Sequence, residues 1–179
     1  MFSSAGMKDS ASHALHGGEF VWNLATYDLR EAMNQSSAVL PRGAVVLMSG
    51  LQRAQQLARA LHALRPDLAA PGVDTRLNEM DFGCWEGVPW SAIPQDAFGP
   101  WMADFHAHRF GGRDSVGEMM QRVAQALDAA SRQGECVWIT HAGVIRAVTL
   151  LIRGVHRLQS PAQWPSETVS FGVAQCLQW

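Results

Sequence analysis

The chain is short of most things that mark a specialised surface. Only 17% of its 179 residues are charged and the net charge is −2. That leaves no broad basic face for nucleic acid, and any anion site must be local. The three cysteines, Cys84, Cys136 and Cys176, are an odd number without Cys-x-x-Cys spacing. They read as reduced, mostly buried thiols of a cytoplasmic protein. No apolar run is long enough to span a membrane. Residues 1–18 lack the basic-plus-apolar pattern of a secretion signal and read as a flexible extension. There is no internal repeat and no low-complexity tract.

What is present suits one globular domain over residues 19–179. Hydrophobic residues make up 47% of the chain, enough for a sizeable core. Phe20–Leu24 is a candidate first strand, and Asp28 can cap a short helix running to about Leu40. Ala44–Met48 is a continuous apolar run, as expected of a parallel strand covered on both faces. Ser49 then caps a helix from about Leu51 to Leu64, with Leu51, Ala54, Leu57, Ala58 and Leu61 at helical spacing. Val73–Leu77 suggests a short edge strand. Residues 78–114, rich in Gly, Pro, Trp and Phe, read as a long irregular insertion of the kind that often carries function. A helix from about Ser115 to Ser131, a buried strand at Cys136–Ile139, a helix after Gly143 and a last strand within 169–177 complete the pattern. Alternating strands and helices predict an α/β fold: three layers, α/β/α, on a doubly wound, mostly parallel sheet.

Three segments carry chemistry. Thr140-His141-Ala142-Gly143-Val144-Ile145-Arg146 places a histidine between a buried strand and a helix N-terminus. Such sheet edges bind anions and hold catalytic groups. A helix-capping histidine is the plain alternative. An imidazole there can donate to a phosphoryl oxygen. Ser49-Gly50-Leu51-Gln52-Arg53-Ala54 puts Arg53 in a first helical turn, where its guanidinium suits a phosphate; the alternative is a solvated helix arginine. Leu77-Asn78-Glu79-Met80-Asp81-Phe82-Gly83-Cys84-Trp85-Glu86-Gly87 crowds three carboxylates with aromatics in a loop. Glu79 is the candidate general acid, with Asp81 and Glu86 as alternatives, or all three as caps of turn amides. His106, His108 and Arg109 either line a lid or form a solvated helix face, and a metal held by the two histidines is discounted because i, i+2 side chains diverge on a helix.

In that order, Ser-x-Leu-x-Arg-Ala, Leu-x-Glu-x-Asp-Phe-Gly-x-Trp-Glu-Gly and His-x-Gly-Val-Ile-Arg resemble the histidine phosphatase superfamily, which is phosphoglycerate-mutase-like in fold. The Asp-Phe-Gly-x-Trp-Glu form looks nearest to the α-ribazole phosphatase group. The resemblance covers roughly residues 28–179. It implies that Arg53 clamps a phosphoryl group, Glu79 protonates the leaving oxygen, His141 stabilises the transition state and Ser49 supports the phosphate pocket. It implies no metal or other cofactor, and a small phosphorylated metabolite or inorganic phosphate as ligand, with neither nucleic acid nor membrane as partner. The family's mutases need a longer lid and more basic residues to hold a bisphosphate, so this insertion, shorter than such a lid and not basic, favours a phosphatase over a mutase. Neither the substrate nor the oligomeric state is written in a motif.

The family's nucleophile is a histidine in an Arg-His-Gly motif after the first strand, and this chain has no such motif. Leu15-His16-Gly17 keeps a histidine, His16, but follows a poor strand. If Phe20–Leu24 is the first strand, the motif position falls at Ala25-Thr26-Tyr27, and both arginine and histidine are gone; this second alignment is preferred. The expectation is a relative of phosphomonoesterases with impaired or lost catalysis. The alternatives are an active α-ribazole-phosphate phosphatase-like enzyme using His16, and an N-terminus altered at the gene boundary. Gly-Gly-Arg-Asp-Ser at 111–115 departs from the family's usual Gly-Gly-Glu-Ser and is expected to add positive charge at the rim through Arg113.

Overall fold

A computed structural model describes residues 19–23, 37–169 and 174–177. Five strands form one sheet: β1 (Glu19–Asn23), β2 (Val45–Met48), β3 (Gly72–Val73), β4 (Cys136–Thr140) and β5 (Ala174–Leu177), in the order β3-β2-β4-β1-β5. β3, β2, β4 and β1 run parallel, and β5 is antiparallel to β1. The expected edge strand is thus shorter than its sequence suggested. Val73 ends β3, and Thr75–Leu77 winds into a 3-10 turn capped by the Asp74 carboxylate, which accepts from the Arg76 amide.

Four α-helices accompany the described sheet: α1 (Gln52–Leu64), α2 (Gln95–Ala103), α3 (Val116–Ala130) and α4 (Ala142–Ile152). β4 shows how the layers are assigned, because successive strand side chains point to opposite faces. Val137 and Ile139 pack with Leu57, Ala58 and Leu61 of α1, together with Leu40, Val46 and Leu68. Cys136 and Trp138 pack with Val123 and Ala126 of α3 and Val144 and Val148 of α4. All five β4 residues are buried, as the continuous apolar run requires of a strand covered on both sides. This is the three-layer α/β/α arrangement expected from the sequence. α3 starts on a capping box: Ser115 accepts from the Glu118 amide, and Glu118 reaches back to the Ser115 amide.

Two expectations are corrected. Ser49 does not cap α1; the N-cap is Leu51, and Ser49 turns its hydroxyl inward. The 78–114 segment is not irregular throughout, since it contains α2 and 3-10 turns at Gly83–Trp85 and Trp90–Ala92. His106 and His108 follow α2 in a turn rather than on a helix face. The segment's aromatic rings extend the core that α3 and α4 share. Phe110, 1% exposed, stacks on Trp101 with centroids 4.4 Å apart and also meets Phe98 at 5.3 Å and Trp85 at 6.1 Å.

The two ends of this insertion are drawn together at a neck. The Asp114 amide donates to the Asp81 carbonyl and the Cys84 amide to the Gly111 carbonyl, each at 3.1 Å. Gly83 and Gly111 stand there at φ +55° and +83°. A Cβ on Gly111 would lie 1.7 Å from the Phe82 carbonyl oxygen, and one on Gly83 would lie 2.0 Å from the Gly111 oxygen. Only glycine fits either position. The short helix expected before Leu40 falls largely outside the described residues, as do His16 and Ala25–Tyr27.

Candidate anion site at the ends of β2 and β4

In parallel α/β sheets, ligands bind beyond the carboxyl ends of the strands. Here β2 ends into Ser49 and α1, and β4 ends into His141 and α4. The Ser49 amide donates to the Ile139 carbonyl at 2.9 Å, so the two strand ends are tied together just before they diverge. β1 ends in the same row, with Asn23 in register with Thr140.

The expected residues meet at this edge. His141 is the N-cap of α4 and 2% exposed. Its Nδ1 lies 3.1 Å from Nε of Arg53, which can only donate, so Nδ1 accepts. Nε2 therefore carries the proton and donates to the Ser49 hydroxyl at 2.8 Å. Ser49, fully buried, also accepts from the Leu51 amide at 3.1 Å and donates to Oδ1 of Asn78 at 3.0 Å. Burial, reinforced by the nearby Arg53 and Arg122 cations, pushes the His141 pKa down to about 3. The ring is neutral at physiological pH, in agreement with its role as acceptor from Arg53.

This arrangement alters the expected division of labour. Both ring nitrogens of His141 are engaged by protein groups, so the proton expected to reach a phosphoryl oxygen goes to Ser49 instead. Ser49 lies beneath His141 and does not face solvent. Arg53 is exposed, and among the described residues its terminal nitrogens have no hydrogen-bond partner. Its Nε is fixed by the imidazole, which leaves the donor fork beside the N-terminus of α4. The helix amides there contribute further positive potential.

Glu79 reaches the same edge from the other side. Its Oε2 accepts from the Gly143 amide and its Oε1 from the Met80 amide, both at 3.1 Å. The approach is close: a Cβ on Gly143 would lie 2.2 Å from Oε1. The two alternative acids cap turns. Asp81 accepts from the Gly83 amide and Glu86 from the Phe82 amide, both at 2.8 Å. The extra rim charge expected from Arg113 is offset, since its Nε lies 3.9 Å from Asp81 and both side chains are exposed.

Three contributors were missing from the sequence reading. Thr140 donates to the Leu77 carbonyl at 2.6 Å, joining β4 to the loop that carries Glu79. Arg122, on α3, donates to the carbonyls of Arg76 at 2.8 Å, Asn78 at 2.5 Å and Glu79 at 3.2 Å, and to the Asp114 carboxylate at 3.2 Å. Asn78 is the third. Asn78 and Thr140 stood inside the quoted motifs with no role attached; Arg122 had no local signal. Among the described residues, no group of three or more His, Cys, Asp or Glu side chains is placed to hold a metal ion.

A family model for the histidine phosphatase superfamily (branch 1) matches residues 30–172. The chain belongs to that superfamily. No match was found among curated protein sequences. Solved structures of similar fold include YhfR of Bacillus stearothermophilus, 18% identical, with a TM-score of 0.70 over 89% of each chain. The α-ribazole phosphatase of Shigella flexneri, also 18% identical, superposes at a TM-score of 0.69 over 89% of each chain. A mycobacterial glucosyl-3-phosphoglycerate phosphatase, 22% identical, gives 0.59 over 75% of this chain and 77% of its own. These likenesses are of fold: the phosphoglycerate-mutase-like architecture that the three motifs implied.

Proposed function

We propose that this protein is a histidine-phosphatase relative that keeps the family's anion site but has impaired or lost catalysis. Its ligand on this reading is a small phosphorylated metabolite or inorganic phosphate. Arg53 provides the donor fork, His141 and Ser49 hold it, and Glu79 stands ready as a proton donor with no phosphoenzyme to serve. The bond from Arg53 to a neutral, buried His141 carries the proposal. It fixes a guanidinium at the sheet edge with its terminal nitrogens unspent, whereas a solvated helix arginine has no such anchor.

The loss of catalysis rests on the missing Arg-His-Gly motif and on the direction of β1. That strand leads into the His141 edge at Asn23, and the motif position after it, Ala25-Thr26-Tyr27, carries neither arginine nor histidine. His16 precedes the strand. Reaching the same edge requires the chain to double back along all of β1, roughly 13 Å at ~3.3 Å per residue. The 78–114 insertion is read as a lid within a single domain. A cytoplasmic location is part of the same reading, from an odd number of cysteines without Cys-x-x-Cys spacing, and among the described residues no helix is long and apolar enough to cross a membrane.

Two measurements on the purified full chain test this reading. Calorimetry with inorganic phosphate should show binding that Arg53→Ala abolishes or weakens severely. Hydrolysis of p-nitrophenyl phosphate should stay at background. Robust turnover that is lost in His16→Ala would overturn the proposal in favour of an active phosphatase using His16.

A further inference from the structure

Asn78 is uncharged and stands beside the conspicuous Glu79. Its amide orientation is nevertheless fixed by a group that cannot turn round: the Gly50 backbone amide points at Oδ1 from 2.7 Å. A backbone N–H only donates, so the atom facing it must be the oxygen. The Ser49 hydroxyl, 3.0 Å from the same oxygen, must then donate as well. With its proton committed, Ser49 meets His141 Nε2 only as an acceptor, and the imidazole must carry its proton on Nε2. Nδ1 is left bare, as Arg53 Nε requires. The two ends of the chain, Gly50 and Arg53, thus demand the same direction independently.

We infer that Asn78 is a positioning residue, setting the direction of an Arg53–His141–Ser49–Asn78 hydrogen-bond relay and so the tautomer of His141 and the pose of Arg53. It acts through Ser49 and His141 and touches no ligand. Arg122 belongs to the same device. By holding the carbonyls of Asn78 and Glu79, it sets the loop at the height where Oδ1 meets both donors. Without Asn78 the Ser49 hydroxyl could donate to Nε2 instead, and the exposed Arg53 would be the group left to oppose that reversal. An acceptor that cannot reverse removes that freedom, and a pre-set donor fork loses less conformational entropy when it captures an anion.

The inference rests on the proposed anion site only for its affinity readout. The primary readout needs no ligand: nitrogen-15 spectra of the histidine rings in the full-length protein report which nitrogen of His141 is protonated. The wild type should show the Nε2–H form alone. Asn78→Asp, which keeps an acceptor facing Ser49 and Gly50, should keep that form. Asn78→Leu, similar in size but without the acceptor, should give a mixture of tautomers and bind inorganic phosphate about tenfold more weakly, the loss expected for one hydrogen bond's worth of positioning. Should Asn78→Leu fail to fold, Asn78→Ala removes the same acceptor without adding bulk and carries the same expectation.

A pure Nε2–H tautomer in a folded Asn78→Leu or Asn78→Ala protein overturns the inference. If the tautomer shifts as expected while the wild type does not bind phosphate, the relay stands and the proposed ligand fails. If phosphate binds but the tautomer never responds, the reverse holds.

Discussion

The sheet edge at Ser49, Asn78 and His141 and the aromatic interior of the 78–114 insertion are both well packed, yet they are specified in opposite ways. The first depends on direction. Each donor meets one acceptor, little apolar area is involved, and a single reversed amide would undo the chain. The second depends on area. Phe110, Trp101, Phe98 and Trp85 meet at a mixture of stacked and tilted angles that a volume-conserving change can accommodate. The polar edge is therefore expected to fail in binding before it fails in folding, and the aromatic interior the other way round.

The largest expected effect probes the second half of that contrast. Phe110→Ala removes the centre of the ring cluster and should cost about 3–5 kcal/mol in chemical denaturation. The protein that remains folded should bind phosphate close to normally. A large loss of affinity in that folded fraction would mean that the two regions are not separable. Arg53→Ala probes the first half. It should reduce phosphate affinity by roughly 10–100-fold, the worth of charge-assisted hydrogen bonds, and leave the denaturation midpoint almost unchanged.

A third test uses pH. His141 is held neutral in the fold at a pKa of about 3, below its ordinary value of 6.5. Between those values the unfolded chain takes up a proton that the folded protein refuses. Stability is therefore lost as pH falls from about 6.5 towards 3. At pH 5 the loss from this group is about 2 kcal/mol. The neighbouring Arg53 and Arg122 cations oppose protonation of the ring, in addition to its burial. His141→Gln should flatten this part of the pH dependence, as judged by urea midpoints at pH 7.5 and pH 5; an unchanged slope would show that the ring is not held as described. The smallest effect is expected at Trp90, which meets Phe82, Phe98, Trp101 and Phe110 with one edge but is 55% exposed. Trp90→Ala should change stability by ~1–2 kcal/mol, below Phe110→Ala, because over half of its area stays in solvent. A cost equal to that of Phe110→Ala would place the centre of the cluster elsewhere.

The same contrast accounts for what could be read from the sequence. β2, β4, α1 and α3 were legible because burial writes a period into the chain: Ala44–Met48 is continuously apolar, and Leu57, Ala58 and Leu61 recur at helical spacing. Arg53, Glu79 and His141 were legible through family motifs. Arg122 was not, because it serves carbonyls of residues 76, 78 and 79 from across the fold, and a bond to a carbonyl asks nothing of the partner's side chain. Asn78 was visible but mute, since its role depends on Gly50, brought alongside only by the fold. α2 escaped notice because Gly99 and Pro100 interrupt its pattern. Pro100 leaves one turn without its amide bond, and burial of Trp101 among the lid rings outweighs that local disadvantage. Ser49 was misread as a cap because its type and position suit one; the donors Leu51 N–H and His141 Nε2–H claimed its oxygen instead.

The glycine neck at Gly83 and Gly111 has a consequence for how this fold can change. The insertion's two ends meet at one clasp, but its interior is shared with the domain: Phe105 and Phe110 lie in one core with Met80, Val116, Met119 and Leu158, and the Leu158 amide donates to His106 Nδ1. A segment exchanged or resized between the clasp residues must therefore rebuild that seam, whereas one methyl group at either glycine would pry the clasp open. What covers the candidate site can vary only in ways that keep both the clasp and the seam.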